Sequence, residues 1–183
     1  KDKPELLAPA GNWSSLASAA ENGADAVFFG VKGINMRAAA ENFDQMELPK
    51  VMAFLREKGL KGYLTLNTIM LNDDLARLRD ILAIAKDALV DGVILSDMAT
   101  LSLCRELGIP IHISTQASVS NIEALKMYVQ LGARRVVLAR ECTLEHINNI
   151  TENVARERIP CEIETFIHCA ICVSVSGRCF MSH

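Results

Sequence analysis

The chain has 183 residues, half of them apolar, and a net charge of −3. That is ample for one buried core, it supplies no basic field for non-specific nucleic-acid binding, and no run approaches the ~18 apolar residues of a membrane span. Six cysteines in a chain with this much core point to metal or redox use in a reducing compartment rather than to disulfides, so a cytoplasmic protein is expected.

β-Rich runs alternate with helical patterns along the whole chain. Strands are expected at Glu5–Ala8, Ala26–Val31, Gly62–Thr68, Gly92–Ser96, Pro110–Thr115, Arg134–Ala139 and Cys161–Ile167. Helices are expected between them, at Trp13–Asn22, Leu48–Lys58, Leu75–Val90, Ala99–Leu107, Ile122–Leu131 and Leu144–Arg156. Runs such as Ala-Val-Phe-Phe-Gly-Val suit strands covered on both faces, hence a parallel sheet. Gly23, Gly59, Gly108 and Gly132 stand where helices end. Ser120 with Glu123 reads as a capping box, and Thr143 as another helix cap.

Two parallel architectures accommodate this order. A doubly wound sheet wants a glycine-rich phosphate loop after its first strand, and Pro9-Ala-Gly-Asn12 is not one. The expected fold is therefore α/β, a (β/α)8 TIM-type barrel of about seven βα units. A full barrel needs about 250 residues. Residues 1–183 are thus read as a single barrel domain that stops before its last strand and helix.

Chemistry in such barrels sits at the C-terminal ends of the strands. Those ends carry Asn12, Asn67, Asp97, Gln116, Arg140 with Glu141, and His168 with Cys169. Side chains alternate faces along a strand. Tyr63, Thr65 and Asn67 share one face, His112, Ser114 and Gln116 another, and Glu162, Glu164, Phe166 and His168 a third. The opposite faces are aliphatic and should meet the helices, so the polar columns point inward. Polar groups inside a barrel need partners, and a mouth lined by them suits a polar small molecule. Glu164 is a candidate general acid or base, or the partner of an interior cation such as Arg140. His112, in mid-strand, reads as a hydrogen-bonded core residue. Arg37, in the long loop 32–47, is a candidate anion clamp or a solvated side chain.

Cys169, Cys172 and Cys179 crowd the last fifteen residues, beside His168 and His183. The spacing Cys169-x2-Cys172 fits zinc, and Gly177 permits a turn that brings Cys179 round. A tetrahedral zinc or an iron–sulfur cluster wants four ligands. Cys104 and Cys161 read as structural, and Cys142 as a rim thiol.

The run Glu164-x-Phe166-x-His168, Ala-Ile-Cys172, Ser176-Gly177-Arg178-Cys179-x-x-Ser182 resembles the signature of the collagenase-like peptidase family of unknown catalytic type (peptidase family U, number thirty-two). Leu7-Ala-Pro-Ala-Gly11, Asn35-Met-Arg-Ala38, Leu95-Ser-Asp97, His112-Ile-Ser-Thr-Gln116 with Asn121, and Leu138-Ala-Arg-Glu141 resemble its other landmarks. The resemblance implies a barrel, and members much longer than this chain. It also implies relatives that hydroxylate tRNA, ribosomal RNA or the ubiquinone ring without molecular oxygen, with prephenate implicated as the oxygen source. A 4Fe-4S cluster is held there by four cysteines, two of them matching Cys172 and Cys179. Cys169 stands where the family usually has glycine.

Three functions follow as expectations. The first is an iron–sulfur hydroxylase-type enzyme acting on RNA or a quinone-like ring. Its catalytic residues would be Glu164, His168, Gln116, Arg140 and Glu141, and its substrate-binding residues Asn67, Arg37, Ser114 and Asp97. Cys172, Cys179 and Cys169 would be the metal ligands. The second is a metal- or carboxylate-dependent peptidase with Glu164 as base, although no H-E-x-x-H run supports it. The third is a zinc-stabilised RNA-binding or scaffold module. An accessory subunit or a homo-oligomer is compatible with each.

Overall fold

A computed structural model describes residues 3–34, 41–168 and 174–176. Arg37, Cys169, Cys172 and Cys179 lie outside the described residues, so the expectations placed on them are not addressed by it. Seven strands and six α-helices alternate among the described residues. The strands are β1 Leu7–Pro9, β2 Ala26–Gly30, β3 Lys61–Leu66, β4 Gly92–Leu95, β5 Ile111–Ile113, β6 Ala133–Val137 and β7 Glu162–Glu164. The helices are α1 Trp13–Glu21, α2 Leu48–Glu57, α3 Leu75–Asp87, α4 Met98–Leu107, α5 Ile122–Gln130 and α6 Leu144–Arg156. Each strand pairs in parallel with its sequence neighbour, in the order β1 to β7. The sheet curls into an incomplete TIM-like barrel, as expected.

Strand parity sorts the two faces. Val27, Phe29, Leu64, Leu66, Val93, Leu95, Ile111, Ile113 and Val136 are buried against Leu16, Met52, Leu55, Ile81, Leu82, Leu101, Leu125 and Ile150 of the helices. A separate cluster of Ala26, Tyr63 and Ile94, with Leu7 and Phe28 against it, fills the concave side. Gly62 is required by close packing on the helix side: a Cβ there would lie 2.5 Å from Met52 Sδ. Gly92 has the matching role inside, where a Cβ would lie 2.9 Å from His112 Nε2.

Helix boundaries follow local chemistry. Gly23, Gly59, Gly108 and Gly132 all take positive φ at or just past helix ends, as their positions predicted. Thr143 caps α6 through His146 N. Ser120 does not cap α5; Asn121 does, its side chain accepting from Ala124 N. The asparagine one residue later out-competes the serine because its Oδ1 reaches the third amide of the helix. Strand β7 stops at Glu164, short of the expected Ile167, and this carries consequences for the site.

Candidate active site

The concave side of the sheet has two levels. The floor, near the strand N-termini, is organised by Arg135 on β6, whose side chain is 8% exposed. Its Nε donates to Glu162 Oε2 at 2.7 Å, and Nη2 donates to the same oxygen. Its Nη1 donates to Glu5 Oε1 at 2.7 Å and to Glu164 Oε2 at 3.3 Å. The guanidinium also lies 5.0 Å from the Tyr63 ring centroid, within cation–π range. Tyr63 donates its hydroxyl to Glu5 at 3.0 Å and meets the His112 ring edge-on at 4.6 Å.

This packing sets the ionisation of the floor. Glu5 is drawn down to about 2: burial opposes this, but the bonds from Arg135 and Lys61 outweigh it. Burial, reinforced by Arg135, pushes His112 down to about 3, so the imidazole is neutral. His112 is buried, but its Nδ1 has no hydrogen-bond partner among the described residues. The expectation of a hydrogen-bonded core histidine is not met at Nδ1; His112 packs instead against the Tyr63 ring and over Gly92. Burial pushes Glu164 up, against the pull of Arg135.

Above the floor opens the mouth, a cavity of about 180 Å³. Phe28, Thr65, Asn67, Ser114, Gln116, Glu164 and Phe166 are among its lining residues. Asn67 Nδ2 donates to Gln116 Oε1 at 2.7 Å, and Ser114 Oγ donates to the same oxygen at 2.5 Å. The ends of β3 and β5 therefore share one hydrogen-bonded amide. The Thr65 hydroxyl is buried here with no partner among the described residues. The volume is below the ~300–1,000 Å³ of sites for drug-sized ligands, which suits a single ring.

The other expected site residues lie elsewhere. Asp97 is the N-cap of α4, accepting from Ala99 N and Thr100 N; it does not line the mouth. Arg140 does not pair with Glu164, because it lies past the end of β6 and its Nη2 donates to Ser174 O at 2.9 Å. Its backbone N–H donates to Ser176 Oγ at 3.2 Å. Glu141 accepts from Ser176 N at 2.8 Å, and this bond holds its carboxyl below the usual range. Ser118 donates to Ser176 O. Arg140 and Glu141 thus seat the segment 174–176 against the rim. His168 is exposed and borders a second cavity with Arg140, Cys142 and Ile147 on the helix side of the sheet. Extending strand parity to it failed because β7 had already ended.

Arg135 is a site residue that sequence reasoning missed, as are Glu5 and Phe28. For Arg135 the signal was present: it shares parity with Val137, opposite the aliphatic Val136, and registers with Glu162 on β7. Among the described residues no group of three or more His, Cys, Asp or Glu side chains is placed to hold a metal. The described thiols suit the core: burial pushes Cys104 up to about 12 and Cys161 to about 11, and raises Cys142 as well. None of these three belongs to a group of side chains placed to hold a metal.

Comparison with known proteins places this geometry. Residues 11–183 match the model of Peptidase family U32. The chain belongs to that family. It is 41% identical, over 97% of its length, to a protein of Porphyromonas gingivalis named collagenase. It is 40% identical over 99% of its length to the tRNA hydroxylation protein P1 of Bacillus subtilis. It is 35% identical over 98% to a 23S rRNA 5-hydroxycytidine synthase of Escherichia coli. The chain spans 44%, 42% and 26% of these relatives, less than half of each. A solved U32 peptidase superposes with a TM-score of 0.70 at 18% identity, covering 90% of this chain and 70% of that one. A 3-keto-L-gulonate-6-phosphate decarboxylase from Vibrio cholerae gives 0.55 at 15%, covering 90% and 78%. At these identities the structural matches speak for the fold alone. No helix among the described residues is long and apolar enough to cross a membrane.

Proposed function

We propose that this chain carries the substrate mouth of an iron–sulfur-dependent, oxygen-independent hydroxylase that acts on a base in tRNA or ribosomal RNA in the cytoplasm. The observation that carries the reading is the lining of the mouth. Phe28 and Phe166 offer apolar ring surface, while Asn67, Ser114, Gln116, Thr65 and Glu164 offer polar atoms beside it. A base that must be taken out of its stack is held by this combination: stacking on its faces and hydrogen bonds at its edge. The relatives named for tRNA hydroxylation and for 5-hydroxycytidine synthesis support the same reaction. A quinone-like ring would use the same walls.

In this reading Gln116, fixed by Asn67 and Ser114, orients the ring edge, and Glu164 handles a proton at that edge. Cys172 and Cys179, with Cys169 as a further candidate, would hold the cluster. The cluster supplies the redox chemistry when bound. Arg140 and Glu141 hold the rim rather than the ring. Full-length protein reconstituted anaerobically with iron and sulfide should show the broad thiolate-to-iron absorption of a cluster. Bulk RNA from cells lacking the gene should lose one oxygen atom at one base by mass spectrometry. Zinc without labile sulfide, together with unchanged RNA, would end this reading in favour of a zinc-stabilised module.

A second reading, peptide hydrolysis with Glu164 as base, draws on the collagenase-named relative. Peptidase activity that co-purifies with the protein and vanishes in Glu164→Gln is its test.

A further inference from the structure

The charges of the floor do not balance, and the surplus faces the mouth. Glu5, Glu162 and Glu164 all bond to Arg135. Lys61 adds a second cation, 2.7 Å from Glu5. Among the described residues two cations therefore serve three carboxylates. The other titratable neighbours among the described residues do not close the gap. Tyr63 on β3 keeps its proton, since burial raises it. His112 on β5 is neutral. Arg134, beside Arg135 on β6, has the opposite parity and is exposed.

The three carboxylates are not equivalent. Glu5 receives bonds from Arg135, Lys61 and Tyr63 at 2.7, 2.7 and 3.0 Å. Glu162 takes both Nε and Nη2 of Arg135, and its side chain is 65% exposed, so water shares its charge. Glu164 has one bond from Arg135, at 3.3 Å, and is 22% exposed. Ionisation costs most where burial is deep and donors are few. Glu164 is also the member of the set that lines the cavity.

We propose that Glu5 and Glu162 saturate Arg135 so that Glu164 remains a neutral acid, whose hydroxyl donates a hydrogen bond to an acceptor atom of the ring held in the mouth. This deepens the ring-binding reading above and rests on it. Arg135 is the positioning residue: it fixes Glu164 Oε2 and leaves the other oxygen to carry the proton. A neutral carboxyl cannot act as the base of a peptidase, so the proposal also separates the two functional readings. It has a consequence for the fold. Without Glu164 the remaining set is balanced, with Arg135 and Lys61 against Glu5 and Glu162. Glu164 is then a burden on the folded state, the reverse of a structural ion pair.

The test is infrared difference spectroscopy of the full-length protein with isotope-labelled glutamate carboxyls, which needs no turnover. At neutral pH a protonated-carboxyl band should be present in the native protein and absent in Glu164→Gln. Glu5→Gln frees one arm of Arg135 and should reduce the band severalfold, as Glu164 takes up the released cation. Saturating uridine or cytidine, used as probes, should shift the band. The thermal midpoint of Glu164→Gln should equal or exceed that of the native protein. Absence of the band overturns the proposal, as does a midpoint for Glu164→Gln that falls as far as that of Arg135→Met. A full-strength band in Glu5→Gln removes Arg135 from the positioning role, and a band unmoved by bound nucleoside removes the ring contact. If RNA hydroxylation fails while the band behaves as described, it is the assigned reaction that is wrong and the neutral acid stands.

Discussion

The floor and the mouth of this half-barrel are built from the same strands, two residues apart, yet they solve opposite problems. On the floor, Arg135 is spent on Glu5, Glu162 and Glu164 at once, and Tyr63 and His112 close around it. In the mouth, Asn67 and Ser114 both converge on one oxygen of Gln116, and the Thr65 hydroxyl has no partner among the described residues. One level has its charged groups committed to each other. The other fixes its amides and still has polar atoms to offer. Rigidity below and open valence above is the arrangement a preorganised site needs.

The comparison breaks most sharply at Arg135. Arg135→Met removes the donor that Glu5, Glu162 and Glu164 share and should cost ~3–5 kcal/mol, read as a lower midpoint in urea denaturation. Acid tests the same level more gently. Glu5 sits at about 2 in the folded chain against 4.5 unfolded, and His112 at about 3 against 6.5. Both are depressed, so each contributes stability that is complete above its unfolded value and fades as pH falls. Glu164, raised in the folded chain, works the other way and offsets His112 as pH falls toward 4.5, so the clear loss of stability should come between 4.5 and 2, with Glu5 alone worth on the order of 3 kcal/mol. Glu5→Gln should flatten that lower limb. Gln116→Ala, at the mouth, should change stability by only about 0.5–1.5 kcal/mol while sharply weakening binding of the ring. Equal losses of stability at the two levels would erase the distinction between them.

Much of this was legible before any coordinates. The aliphatic faces at Leu64, Ile111 and Ile163 gave away which way Tyr63, His112 and Glu164 point, because period two leaves no choice once one face meets helices. Glycine at helix ends was equally plain. The partner of Glu164 was not legible. Arg140 looked suitable because it lies near a strand end, but strand length decides reach. β6 ends at Val137, which turns Arg140 onto Ser174 and leaves Arg135 facing Glu164. The same shortening of β7 moved His168 off the interior. Sequence shows alternation well and shows poorly where alternation stops, since a strand end depends on neighbouring strands rather than on its own residues.

The strict order of the sheet bears on how such a chain acquires its shape. Every strand hydrogen-bonds to the one made just before it, so each βα unit finds its docking surface already present as it leaves the ribosome. Partners in neighbouring strands lie 18 to 35 residues apart, and this strict order suits synthesis-ordered assembly. The tie from Glu5 to Arg135, 130 residues apart, belongs to a different class. It draws the first strand toward the sixth only after five units stand between them, and it marks the moment at which a growing ribbon becomes an enclosure.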